Sequence, residues 1–402
     1  MDSIDLRLRE VVESAVKSSI DFEKEIELNS SLMDVYQKRK WDLNLSDRQI
    51  QIILGMDKKT LMPILDGTAK HVNFINILKL AHFFGLSVND LIKLYIPQMD
   101  SKSIGEIQRS REAGYIIEYF DISTLTKMKF FEKDSSSAEM AKKIQSYFGL
   151  DILFDYSKSK TFTAFSRSKR KSDDLMRYFW VQSAIAQFSY INNPYIYNRQ
   201  ALLDLIPKIR PYTRDVKNGL IKVLKALSSV GVTVLFQPSV EKLQVRGATM
   251  SVNNKPCIVL SDVHKNYPTL WFALLHELHH VLFDFEEIEK RVYHISSAEG
   301  DLFLMDEEKA DNFARDFLLN ESRLKYASGY IQSPYHIEKM AQEWSVHPSI
   351  IYSFYCYKTE EWNFYSKYIP KMDEALELLN THPFEKESLF ESAKEIKELL
   401  NL

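Results

Sequence analysis

Cysteine is scarce in this chain: its 402 residues hold two, Cys257 and Cys356, and neither has a partner at C-x-x-C spacing. A disulfide framework and a cysteine-rich metal site are therefore excluded, and both thiols read as core residues of a protein kept in a reducing compartment. Long apolar runs are missing as well. Nowhere is there the stretch of about eighteen apolar residues that a membrane helix needs, and residues 1–13 mix acidic and basic side chains where a signal peptide would be apolar. These absences predict a cytoplasmic protein with no membrane contact. Charge of one sign is also lacking, because 52 basic against 55 acidic residues leave a net charge of −3. Wholesale polyanion binding is excluded, so any nucleic-acid contact has to come from a local patch.

The composition, 45 % apolar and 27 % charged, is that of an ordinary globular chain of about two to four domains. Residues 1–35 read as a charged helical extension. From Leu45 the pattern becomes two short capped helices around a Gly55 turn, then Ile75-Leu78-Leu80-Ala81-Phe84 and a further Ser-capped helix after Gly85. Five short helices over residues 36–98 resemble the Xre or lambda-repressor type of DNA-binding domain, with Asp57 to Leu65 in the place of the recognition helix. Lys58, Lys59 and Thr60 are its candidate DNA contacts, and Pro63 stands in its middle, where polar readers are common. Residues 97–105 read as a polar linker and 106–230 as a helical middle region. Within that region, residues 166–172 form a basic run that reads as a solvated loop, and Trp180 reads as core. Val232–Phe236, Ala248–Val252 and Cys257–Leu260 read as strands, the last two as a hairpin through Asn253-Asn254.

Directly after these strands comes His276-Glu277-Leu278-His279-His280, inside an apolar helical stretch. Residues four apart share a helical face, so His276 and His280 can offer two imidazoles to one tetrahedral zinc ion while Glu277 serves as a base for water. A catalytic zinc needs a third protein ligand, and no histidine follows at the spacing that would complete a three-histidine site. The helix beginning at Glu307 offers one. Its apolar stripe is Ala310, Phe313, Ala314 and Phe317, and Glu307 lies on that stripe. Glu308 points about 100° away and is the second choice, with Asp311, His294 and His264 as further alternatives. His279 is turned off the ligand face, as a substrate contact or simply a polar helix residue. Tyr293, His294 and His264 are candidates to stabilise the oxyanion. The C-terminal region 331–402 is helical, with a stripe of Tyr and Trp that reads as core or a dimer face.

Phe272 to Leu282, together with Glu307-x-x-Ala310-Asp311-x-Phe313-Ala314, resembles the ImmA/IrrE family of zinc metallo-endopeptidases. The likeness reaches across residues 40–355 in the manner of longer members that carry an Xre-type domain in front, and it departs at His279, where the family usually has glycine. The resemblance implies an α+β, mainly α chain: a zincin-like domain at 231–330 with a small sheet, behind the helix-turn-helix domain. It also implies Zn2+ as cofactor and a protein substrate, often a helix-turn-helix repressor, cleaved in a stress, mobile-element or defence setting. The alternatives are a DNA-binding regulator or antitoxin whose zinc domain is a sensor or homodimer platform without turnover, and a metal-stabilised interaction protein. Double-stranded DNA is the second expected partner.

Overall fold

The computed structural model describes residues 31–158, 172–240, 243, 245–263, 266–291, 293–297, 307–379 and 383–402. His264 and most of the basic run lie outside them. The chain divides into two compact units, Met1–Arg111 and Glu112–Leu402. No helix among the described residues is long and apolar enough to cross a membrane.

In the first unit five helices follow one another: α1 (Leu32–Asp42), α2 (Asp47–Leu54), α3 (Lys58–Leu65), α4 (Phe74–Phe84) and α5 (Val88–Tyr95). Each starts on a side chain that accepts a hydrogen bond from a free N–H of the first turn, namely Ser31, Ser46, Asp57, Asn73 and Ser87. Gly55 and Gly85 end α2 and α4 in the left-handed region, with φ of 58° and 69°, which costs glycine nothing. The helices close over Leu32, Tyr36, Ile50, Leu61, Leu65, Leu80, Phe84 and Leu91. Because α1 starts at Leu32, the boundary expected at residue 36 falls inside a helix. The expected linker is also largely ordered: Asp100 accepts from the N–H groups of Lys102 and Ser103 at 2.9 and 3.0 Å and so caps a long helix, α6 (Ser101–Tyr119).

The second unit is mainly helical around a four-stranded mixed sheet of β1 (Thr233–Phe236), β2 (Val245–Val252), β3 (Lys255–Leu260) and β4 (Tyr293–Ser297). The strand order is β1-β3-β2-β4; β1 runs parallel to β3, and β2 runs antiparallel to both β3 and β4. Asn253 and Asn254 turn the β2–β3 hairpin with positive φ of 53° and 59°, a conformation asparagine tolerates. A bulge interrupts β2 between Val245 and Gly247. One hydrophobic core extends from Ile116 to Leu400, so the regions read separately as 106–230, 231–330 and 331–402 share a single interior. Trp180 is buried within it, as are Cys257 and Cys356.

Helix α7 (Tyr267–Phe283) packs against the sheet and against α8 (Glu307–Leu319). Asn266 caps it by accepting from the Thr269 N–H at 3.1 Å, and Pro268 occupies its first turn. From Leu270 to Leu282 all but Phe272 are buried, so it is apolar nearly all round apart from the motif residues, as a helix inside a layered core must be. β4 was not anticipated. Its sequence, Tyr-His-Ile-Ser-Ser, carries one aliphatic residue, and its strand state comes from pairing with β2.

Candidate metal centre

Side chains alternate across a strand, so one face of β2 presents Gly247 and Thr249. Their partners across the β2–β4 ladder are Ser296 and His294. All four lie against the charged groups of α7 and α8. Thr249 donates from Oγ1 to Glu277 Oε2 at 2.6 Å. A Cβ on Gly247 would meet Glu277 Oε1 at 2.6 Å and Cγ at 2.9 Å, so glycine is what lets that carboxylate lie against the strand. Ser296 Oγ is 3.1 Å from His276 Nε2, and His294 Nε2 is 2.6 Å from Glu307 Oε1.

On this floor His276, His280 and Glu307 converge. Their ligand atoms lie within 4.8 Å of one another: the two Nε2 atoms are 3.2 Å apart, and Glu307 oxygens lie 3.1 Å from His276 and 3.5 Å from His280. Ligands at about 2.0–2.1 Å from a tetrahedral ion are separated by about 3.3 Å, so these spacings fit a small divalent cation. The far ring nitrogens are held by carboxylates, His276 Nδ1 by Asp311 at 2.9 Å and His280 Nδ1 by Asp284 at 2.8 Å. This is how metal-binding imidazoles are commonly aimed. The buried Glu277 keeps one oxygen, Oε1, with no hydrogen-bond partner among the described residues. An orphaned carboxylate oxygen beside the cluster is costly unless a donor or cation serves it.

Electrostatics points the same way. Burial works to lower the pKa of His276, but the Asp311 and Glu307 hydrogen bonds outweigh it and push the imidazole up to about 9. Burial would raise Glu307, yet His276 and His294 hold it far below the usual carboxylate range. Asp284 is likewise held down against burial by its bond to His280. The pocket of carboxylates demands positive charge, and a proton on His276 is one way to meet that demand.

No family model, curated protein or solved structure matches the chain.

Of the residues singled out from sequence, His276, His280, Glu277, Glu307 and His294 are gathered here. Glu308 is exposed and outside the cluster. Asp311, an alternative ligand, bonds the Nδ1 side of His276 and so orients it. His279 packs its ring 4.8 Å from Phe283 and 5.6 Å from Phe313. A second grouping, His279, His280 and Asp284, also brings donor atoms close, but Asp284 is already engaged with His280 Nδ1. Tyr293 is only half-buried on β4. The site contacts of Gly247, Thr249, Ser296 and Asp284 escaped sequence reading; those of the first three arise through strand register, which no local pattern carries. In the first unit, Lys58, Lys59 and Thr60 are exposed on the opening turn of α3, and Asp57 is its cap, accepting from Thr60 N–H at 2.8 Å. Helix α3 continues through Pro63, which removes one hydrogen bond of the ladder, and stops at Leu65.

Proposed function

We propose that the chain is a zinc-dependent endopeptidase joined to a DNA-binding-type helical domain, acting on a regulatory protein such as a helix-turn-helix repressor. The observation that carries this reading is the position of Glu307. A carboxylate from a separate helix lies 3.1 and 3.5 Å from the two motif imidazoles, and Glu277 waits beside them with one free oxygen. His276, His280 and Glu307 would hold the ion, with Asp311 and Asp284 fixing the two rings. Bound zinc supplies Lewis-acid polarisation of water and of the scissile carbonyl. Thr249 pins one oxygen of Glu277, which leaves the other to take a proton from the attacking water. Glu277 then gives that proton to the nitrogen of the leaving amine as the C–N bond breaks. His294, expected from sequence near the oxygen that gains charge, instead holds Glu307 Oε1 at 2.6 Å and so positions the third ligand.

Elemental analysis paired with cleavage of a quenched fluorescent peptide library tests this. Wild type should hold about one zinc per chain, and His276→Ala and Glu307→Gln should lose it. Glu277→Gln should keep the zinc while cleavage drops by about 10²–10⁴-fold. A well-folded wild type that takes up no zinc, or a Glu277→Gln variant that cleaves normally, would sink the endopeptidase.

The exposed Lys58, Lys59 and Thr60 favour a second reading, a DNA-binding regulator in which the metal domain is a sensor or dimer platform. On that reading Lys58→Ala with Lys59→Ala abolishes a DNA mobility shift, while Glu277→Gln leaves regulation untouched.

A further inference from the structure

Beside the metal cluster lies a cavity of about 600 Å³, within the range of ligand pockets. It opens between β2, the first half of α7, α8 and two later helices, α9 (Glu321–Ser328) and α10 (Pro348–Thr359). Its apolar lining includes Phe272, Ala273, Leu324, Phe354 and Tyr357. Phe272 stands one turn before His276, with ring centroids 6.3 Å apart. The cavity is thus continuous with the helix face that carries the motif.

Two features of its polar lining ask for a ligand. Ser353 is fully buried in the wall, and its Oγ has no hydrogen-bond partner among the described residues. Arg246, in the β2 bulge, leaves its buried Nε without one as well. The guanidinium of Arg246 comes within 4.0 Å of Asp311, the carboxylate that orients His276. The charges around the opening are Arg246, Arg315, Lys358 and Glu321. Lys358 and Glu321 pair with each other, and Arg315 donates to the neutral Asn312 at 2.7 Å while its charge, after that of Lys358, helps hold the Glu321 carboxyl down, so three cations face one carboxylate there. The balance facing the cavity is therefore cationic over an apolar body.

We propose that this cavity is the subsite that selects the substrate, taking a bulky apolar side chain whose peptide carries a carboxylate beside it, held by Arg246 and Arg315. An apolar side chain fills the cavity against the wall that Phe272, Leu324, Phe354 and Tyr357 share, and the Ser353 hydroxyl gains a peptide carbonyl to donate to. The carboxylate comes from the end of a chain or from an adjacent acidic residue. The role in substrate selection rests on the endopeptidase reading; the binding itself does not.

Three probes test it by calorimetry on the full chain as purified, where a probe carboxylate captured by metal instead would bind regardless of the arginine variants: N-acetyl-L-phenylalanine, its amide, and N-acetyl-Phe-Asp amide. At least one carboxylate probe should bind about tenfold or more tighter than the neutral amide. The tighter of the two distinguishes a chain terminus from an internal acidic residue. Arg246→Gln and Arg315→Gln should each erase most of that preference, and Ser353→Leu should block all three probes. The arginine variants lie toward the surface and keep the test open if Ser353→Leu fails to fold. Equal binding of acid and amide, or binding indifferent to both arginine variants, overturns the proposal. Zinc content is measured separately, so loss of the metal reading and loss of the subsite give different results.

Discussion

In the five-helix unit the capping side chains sit at helix ends, in water, where Ser31, Ser46, Asp57, Asn73 and Ser87 each close one turn, and the buried Arg39, which donates from Nε to the Phe83 carbonyl at 3.0 Å, is an exception. In the sheet unit His276, Glu277, His279, His280 and His294 are all buried, packed between α7, α8 and β4. The first arrangement stabilises locally and asks nothing of the rest of the chain. The second is unfavourable by itself, since buried ionisable groups lose hydration, and it persists because each group is matched to a partner. A cap is a statement about one helix; a buried cluster is a statement about what the molecule must hold.

The sharpest way to separate the two units is to strip the ion that His276, His280 and Glu307 are proposed to hold. Chelation, or His280→Ala, should loosen the sheet unit and leave the five-helix unit unchanged, as read residue by residue in hydrogen exchange. For a site filled about a hundredfold over its dissociation constant the loss is about 2.7 kcal/mol, and uniform loosening of both units would contradict the contrast. Next in size is Gly247→Ala. The added methyl would lie 2.6 Å from Glu277 Oε1, and overpacking of this kind costs about 1–3 kcal/mol, visible as a lowered urea midpoint.

A smaller effect should follow pH. Burial, then the nearby Arg214, pushes His347 down to about 4 from 6.5. A folded value below the unfolded one means that the neutral ring is favoured. Its stabilisation is full above pH 6.5 and is lost as pH falls through about 4. His347→Gln should flatten that part of the stability curve by about 1–2 kcal/mol after solvent screening is allowed for; an unchanged slope would rule this out. Least of all, Asp57→Ala should remove the α3 cap and lower the urea midpoint of the five-helix unit slightly, while metal uptake by the sheet unit stays unchanged.

The two units were also unequally legible. Caps and glycine stops are local, so Ser46, Gly55, Asp57 and Gly85 mark helix ends that sequence alone can place. The i,i+4 spacing of His276 and His280 and the position of Glu307 on the stripe of α8 are local as well, and the fold does bring these three together. What could not be read is pairing between distant segments. β4 lacks the apolar alternation of a strand, and Thr249 and Gly247 matter only because β2 packs under α7. Asp311 reads from sequence only as an alternative ligand and Asp284 carries no signal at all, because the rings they hold are placed by the fold. The single core of residues 112–402 was hidden for a related reason: helix patterns show which face is apolar, not which helices share an interior.

The β2–β4 ladder gives the cluster the character of a checksum. Thr249 opposes His294 and Gly247 opposes Ser296, so slipping β4 by one residue would turn Tyr293 and Ile295 inward and carry both polar groups to the opposite face. Glu307 would then lose its 2.6 Å contact with His294, and His276 its 3.1 Å contact with Ser296. Parts contributed by β2, α7, β4 and α8 agree only when every strand is in phase. A chain that has collapsed but paired wrongly carries all the same residues and none of the site.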